Sequence, residues 1–214
     1  ITLGALDASG RITDHGRRLA IMPVHPRLGH MLNLSGPKSA QLAALLNERD
    51  PLSRDAPSDI NLRIEAIADT KSFLSRRPYT VNRAGLERIK ADAKRLEKFT
   101  TSNSELSFAQ MAALAYPDRI GMRRKGSEPR YVLSGGKGAV LDQSDTLAGE
   151  RFLVATDLDG NPREAKIRQA IPISIGEIRS LFERNIHWIN HCEWSKRDRR
   201  VIARQQERLG SIVL

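Results

Sequence analysis

The sequence predicts an α+β fold: a helical bundle, then a small β-barrel, then a C-terminal β-containing extension. Three observations predict it. Apolar residues recur at helical spacing as far as Pro117. Beyond that point the apolar runs shorten and turn signals separate them, notably Ser134-Gly135-Gly136 and Asp159-Gly160-Asn161-Pro162. The 214 residues are 40% hydrophobic and 28% charged, a globular mix that can bury a core.

The elements follow in order. Gly10-Arg11-Ile12-Thr13 reads as a short strand ending in a capping hydroxyl, and Asp14 to Met22 as an amphipathic helix with an acid at its positive end. Pro23 stops that helix and Pro26 opens the next, which runs from Arg27 to Leu34. After the Ser35-Gly36-Pro37 break, Ala40, Ala43, Ala44, Leu45 and Leu46 form a small-residue stripe that ends at Glu48-Arg49-Asp50-Pro51. Asp59 caps a helix carrying Ile60, Ile64 and Ile67. The longest candidate is Arg83 to Phe99, with Leu86, Ile89, Ala93 and Leu96 on one face and cations on the others. Leu106 to Tyr116 is a short apolar helix ended by Pro117. Strands are expected at 130–133, 138–141, 151–156 and 165–171, a pattern that indicates a small barrel or sandwich. Ser174 caps a helix through Leu181 and Phe182, and Ile186 to Trp194 pairs with Arg199 to Arg204 around Lys196-Arg197-Asp198.

The net charge of +10 and pI near 10.2 make polyanions the default partner class, nucleic acid ahead of an anionic membrane surface. The excess is even: residues 1–116 carry 17 basic and 12 acidic side chains, and 117–214 carry 18 and 13. Two folded units share it, so it is no basic tail. A single cysteine, Cys192, rules out an internal disulfide framework and fits a reducing, cytoplasmic setting. No apolar run reaches the roughly 18 residues of a membrane-spanning helix. The chain opens Ile1-Thr2-Leu3-Gly4 without methionine or signal pattern, and reads as a piece of a longer polypeptide.

No catalytic residue and no metal ligand set is predicted. Gly135-Gly136-Lys137-Gly138 lacks the spacing, hydroxyl and following helix of a nucleotide phosphate loop, so it reads as a tight turn. Ser35-Gly36-Pro37-Lys38 places a turn where an acyl-transferring Ser and Lys need a helix. His187 and His191 share a strand face while Cys192 points away, which leaves too few ligands for zinc. His15, His25 and His30 sit at turns and helix starts, where capping or packing is expected. Asp157-Leu158-Asp159-Gly160 has its glycine too early for a calcium loop and reads as a hairpin turn.

Two basic clusters carry the remaining signal. One runs through Arg119, Arg123, Arg124, Lys125, Arg130 and Lys137; the other is Lys196, Arg197, Arg199 and Arg200. A charge run is more often a solvated face than a site. The residues expected to hold phosphates are Arg123, Arg124, Lys125, Arg130 and Lys137. Tyr131 is the candidate for stacking against a base, in a chain only 5% aromatic.

An ordered string of motifs then points to a family. Leu3-Gly4-Ala5-Leu6-Asp7, Gly10-Arg11-Ile12-Thr13, Gly16-Arg17-Arg18-Leu19-Ala20 and Pro23-Val24-His25-Pro26-Arg27-Leu28 resemble the helicase-associated region that follows the motor domains of DEAH-box helicases. Leu42 to Pro51, Ala115-Tyr116-Pro117-Asp118-Arg119-Ile120, Arg130 to Gly136 and the closing Ala203 to Gly210 narrow the resemblance to bacterial HrpB-type ATP-dependent helicases.

That resemblance implies the end of a winged helix over 1–24, a helical ratchet-like domain over 25–116, an OB-like barrel over 117–172 and a family-specific C-terminal region over 173–214. It implies a nucleic-acid-binding accessory role: guiding single-stranded nucleic acid, RNA ahead of DNA, past the protein's own upstream motor domains. ATP and magnesium would be cofactors of those motors. This chain has no phosphate loop, no Asp-Glu-Ala-His box and no arginine-finger motif, so no cofactor and no catalytic activity is expected of it alone. The stretch Leu32 to Gln41 is shorter than the family's usual insert. The competing expectation is a protein-interaction module that docks a helicase onto a ribonucleoprotein or a protein. A free-standing winged-helix regulator would need an upstream recognition helix that this sequence lacks.

Overall fold

The computed structural model describes residues 3–195, 197 and 199–214, apart from the side chain of His191. Ile1, Thr2, and Lys196 and Asp198 of the expected C-terminal turn lie outside the described residues. The first half is helical: α1 (Asp14–Ala20), α2 (Pro26–Leu34), α3 (Lys38–Asn47), α4 (Ile60–Ala68), α5 (Thr70–Arg76), α6 (Arg83–Leu96) and α7 (Phe108–Ala115). Local chemistry sets most of the starts. Side-chain oxygens of Thr13, Asp59, Asp69, Asn82 and Ser107 each accept a backbone N–H of the following first turn, which satisfies a donor that the helix itself cannot. At α7 the Gln110 side chain returns the favour to the Ser107 N–H. Helix α5 has no counterpart among the predicted elements.

A chain of hydrogen bonds docks α1 onto α2. Asn33 Nδ2 lies 3.0 Å from His15 Nδ1, and His15 Nε2 lies 2.8 Å from His30 Nδ1. An amide nitrogen can only donate, so His15 Nδ1 accepts, its Nε2–H donates, and both rings are neutral. Burial, followed by the neighbouring His15, pushes His30 down to about 4; burial and then Arg18 lower His15. The expectation of a packing role for these histidines is met.

From Pro117 the chain turns to strands: β1 (Ile120–Arg123), β2 (Arg130–Leu133), β3 (Gly138–Val140), β4 (Phe152–Leu158) and β5 (Glu164–Pro172). They close into a barrel in the order β1-β2-β3-β5-β4, antiparallel throughout except for the parallel β3–β5 pair. Helix α8 (Ile175–Phe182) follows, capped by Ser174 with a reciprocal bond from Glu177. A long ribbon of β6 (Ile186–Ser195) and β7 (Arg200–Leu209) comes next, with the short β8 (Ile212–Val213) beside the base of β7.

Three cores hold these elements. The largest joins Leu32, Leu42, Ile89 and Met111 of the helices to Ile120, Phe152, Val154 and Ile171 on the barrel and to Ile178, Leu209 and Ile212 beyond it. A second fills the barrel with Tyr131, Leu133, Leu153 and Ile167, and a third sets Phe73 of α5 against Leu52, Leu62 and Ala66. Each fully buried Leu, Ile or Phe side chain contributes about 1.5–3 kcal/mol. The chain changes character at Pro117 as its sequence predicts, yet the main core runs straight across that point. Helices and barrel therefore pack as one body.

Candidate nucleic-acid interface

Cross-strand register decides which cations share a surface. Tyr131 pairs with Arg123 and with Ala139, and all three belong to the inward-facing set. Their neighbours on each strand face outward. Arg130 pairs with Val140, and Val140 with Lys166. On the other side of β2 the Arg124 N–H donates to Arg130 O at 2.7 Å. One row thus runs over the barrel's outer surface from Arg124, just past the end of β1, across three strands as Arg130, Val140 and Lys166. Neighbouring strands lie about 4.8 Å apart, so Arg130 and Lys166 are about 10 Å apart at the backbone. Arg168 stands two residues beyond Lys166 on the same face of β5. A methyl on Gly138 would meet Arg163 O at 3.3 Å, so the glycine eases the close approach of β3 to the start of β5.

The six residues picked out by sequence are divided by this geometry. Arg124, Lys125 and Arg130 are exposed and lie together around the β1–β2 loop. Arg130 bonds Glu128 at 2.6 Å and approaches Glu164 at 3.8 Å. Arg123 is half-buried and internally engaged: Nε donates to Ala148 O at 2.9 Å, and its two Nη groups reach Gly126 O and Ser127 O at 3.4 Å. It braces the loop. Lys137 is half-buried in the β2–β3 turn, at the opposite end of β2 from Arg124. There Asp159, in the β4–β5 turn, is held below the usual carboxylate range by N–H groups of Asn161 and Lys166, with Arg168 and Lys137 adding to the effect.

Tyr131 requires a correction. It is fully buried inside the barrel, and its hydroxyl lies 3.0 Å from the carbonyls of Leu147 and Glu150. Burial pushes the phenol up to about 12. No face of the ring is free for a base. Lys166 and Arg168 were missed, although the alternation Ala165-Lys166-Ile167-Arg168 carries the signal that they point outward.

Charge compensation is heavier on the basic face of α6, where three of five cations are paired, than on this face. Here, among the described residues, Arg130 is the one of Arg124, Lys125, Arg130, Lys166 and Arg168 with an ion pair. Three α6 cations are matched by carboxylates, in Arg88–Glu48 at 3.3 Å, Lys90–Glu87 at 3.2 Å and Arg95–Asp92 at 3.1 Å. Among the described residues no carboxylate lies within 4.0 Å of the charged groups of Arg124, Lys125, Lys166 or Arg168. Exposed cations without a close ion pair hold mobile counterions, whose release drives binding to a polyanion. The carboxylates of Asp142, toward Lys166, and Asp159, toward Arg168, act on them only at longer range. Among the described residues there is no group of three or more His, Cys, Asp or Glu arranged to hold a metal, and no helix is long and apolar enough to cross a membrane.

Comparison with known proteins gives a consistent answer. A model of the helicase-associated winged-helix domain matches residues 1–24. The ATP-dependent RNA helicase HrpB of Escherichia coli K12 is 26% identical over 220 residues, covering 99% of this chain and 25% of that protein. A crystal structure of the E. coli DExH-box NTPase HrpB superposes with a TM-score of 0.71 at 27% identity, with the same coverage of both chains. A second, of the E. coli DEAH/RHA helicase HrpB, gives a TM-score of 0.70 at 24% identity and supports the fold. This chain therefore spans about a quarter of the length of its relative.

Proposed function

We propose, from the premise that this chain is similar over its whole length to the C-terminal region of HrpB-type DEAH-box helicases, that it is the part of such a helicase that holds single-stranded nucleic acid by its phosphates. The observation that carries this reading is the row Arg124, Arg130 and Lys166 on the outer barrel face, with Arg168 beside it. The barrel's strand order, with β3 parallel to β5, is that of an OB fold, whose β2–β3 face and β1–β2 and β4–β5 loops bind oligonucleotides. The tight hairpin closed by the Leu6–Ile12 bridge, together with α1, fits the wing and last helix of a winged helix. Residues 25–116 then form the ratchet-like domain, 117–172 the barrel and 173–214 a family-specific region.

In this role the chain lines a path for the strand while motor domains of the longer protein hydrolyse ATP with magnesium and move it. RNA is the favoured strand, in keeping with the name of the E. coli relative, and the cytoplasm is the setting. The test is a fluorescence-anisotropy titration of a labelled single-stranded oligonucleotide from 50 to 300 mM salt. Each neutralised phosphate contributes about −0.7 to the log–log slope for single strands, so three to four contacts give a slope between about −2 and −3. Affinity that stays constant over that salt range would refute the phosphate-holding role.

A further inference from the structure

The β6–β7 ribbon lies outside that barrel face and carries the chain's only two tryptophans. Trp188 is 65% exposed and Trp194 is 61% exposed, an unusual state for the largest apolar side chain. Strand alternation puts both on one face. Trp194 pairs there with Val201, itself 65% exposed, and Trp188 pairs with Glu207. Among the described residues the ribbon is anchored near its base, where Leu209 and Ile212 are buried in the main core and Arg179 of α8 pairs with Glu207. The two indoles are six residues apart, which is about 20 Å along a strand. At about 3.4 Å per stacked nucleotide, that distance spans roughly six bases.

We propose that this ribbon face is a second nucleic-acid contact, on which two bases of a single strand about six nucleotides apart stack against Trp188 and Trp194. The inference rests on the reading of the chain as a single-strand-binding region. Charge complementarity selects the occupant. Residues 186–209 hold six Lys and Arg against three Asp and Glu, and Arg197, Arg199, Arg200 and Arg204 are exposed along the tip and β7. Arg200 and Arg204 alternate to the reverse face, but in a ribbon only two strands wide every residue of β7 is within a side chain's reach of the edge, where phosphates of a strand stacked on the front would run. The space between the indoles also argues for bases over a protein surface. It is occupied by Asn190 opposite Gln205 and Cys192 opposite Ala203, so the tryptophans are separate platforms and not one apolar patch.

Intrinsic fluorescence reads this face without a label, because no other tryptophan exists in the chain. The 214-residue chain is titrated with an unlabelled twelve-nucleotide single strand, and in parallel with heparin, a polyanion without bases. The expected result is saturable quenching by the oligonucleotide and none by heparin, with slower alkylation of the exposed Cys192 between the indoles when the oligonucleotide is bound. Trp188→Ala and Trp194→Ala should each weaken oligonucleotide binding by about 5- to 150-fold, while Trp188→Phe retains most of it. Anisotropy with a labelled oligonucleotide separates the failures. If the oligonucleotide binds while tryptophan emission and the alanine variants stay unchanged, stacking is overturned, the barrel-face reading stands, and the ribbon face is left to a protein partner. If the labelled strand does not bind at low salt, both readings fall.

Discussion

The buried Arg63–Asp50 pair predicts an asymmetric response to mutation. Arg63 on α4 is 2% exposed, and its Nη2 and Nε bond the Asp50 carboxylate at 2.6 and 3.2 Å. Nη1 donates to Pro57 O and, at 3.0 Å, to Asp59 O. Asp50 is 32% exposed and also accepts from Leu52 N and from Gln169 Nε2 of β5, both at 3.0 Å, so the pair ties the helical layer to the barrel strand that carries Lys166 and Arg168. Asp50→Ala strands a guanidinium in the interior. Loss of one partner of a buried pair costs about 3–5 kcal/mol, and the two remaining carbonyl acceptors set this case near the lower end, about 3 kcal/mol. Arg63→Met leaves a carboxylate that is already wet and twice bonded; its cost is the donor lost by two carbonyls, about 2 kcal/mol. The double variant should cost little more than Arg63→Met alone, because removing the arginine removes the stranded charge. Urea unfolding of the four proteins closes the cycle, with an expected coupling of about 3 kcal/mol. An additive double variant, or Arg63→Met as the more damaging change by over 1 kcal/mol, would refute the reasoning.

Other outcomes follow from the same structure. Tyr131→Phe removes a buried hydroxyl while keeping the ring, and should cost about 1 kcal/mol of stability in urea with oligonucleotide affinity unchanged within twofold. The neutral His15–His30 pair has folded pKa values below the ordinary 6.5, so the unfolded chain binds more protons in the acid range. Stability from this pair is complete above pH 6.5 and is lost as pH falls from there toward 4; urea midpoints across that window should drop, and should drop less in His30→Gln. Gly210 has φ of +57, and a methyl there would lie 2.3 Å from Ser134 O, against which the Ser211 N–H bonds at 2.9 Å. Gly210→Ala should release the ribbon's base from the β2–β3 turn, visible as faster hydrogen exchange at Ser211 than in the parent chain.

Elements that declare themselves locally were legible in the sequence. Thr13, Asp59 and Ser174 announce their helices because a cap needs only an oxygen a few bonds from the N–H that it accepts, whereas the helix expected from Leu106 starts two residues later, capped by Ser107. Helix α5 escaped because Phe73 is its only buried residue, too little for a stripe. Strand β1 was hidden because its last residue opens a basic run that reads as a charged loop. The candidate interface was half legible. Arg124, Lys125 and Arg130 are neighbours in sequence and in space, whereas Lys166 joins them only through β3, by a parallel pairing that no local pattern encodes. Tyr131 misled because proximity to Arg130 in sequence suggested a shared role, while strand alternation sends adjacent side chains to opposite faces.

The claim that the barrel row holds the strand is tested most directly by comparing Lys166→Gln with Lys94→Gln, an equal loss of charge on the exposed surface of α6. The measurement is the log–log salt slope of single-strand binding for each variant against the parent chain. Lys166→Gln should make the slope shallower by about 0.7, and Lys94→Gln should leave it unchanged. Equal slopes for the two variants would contradict the account, since binding would then follow net charge and not this face.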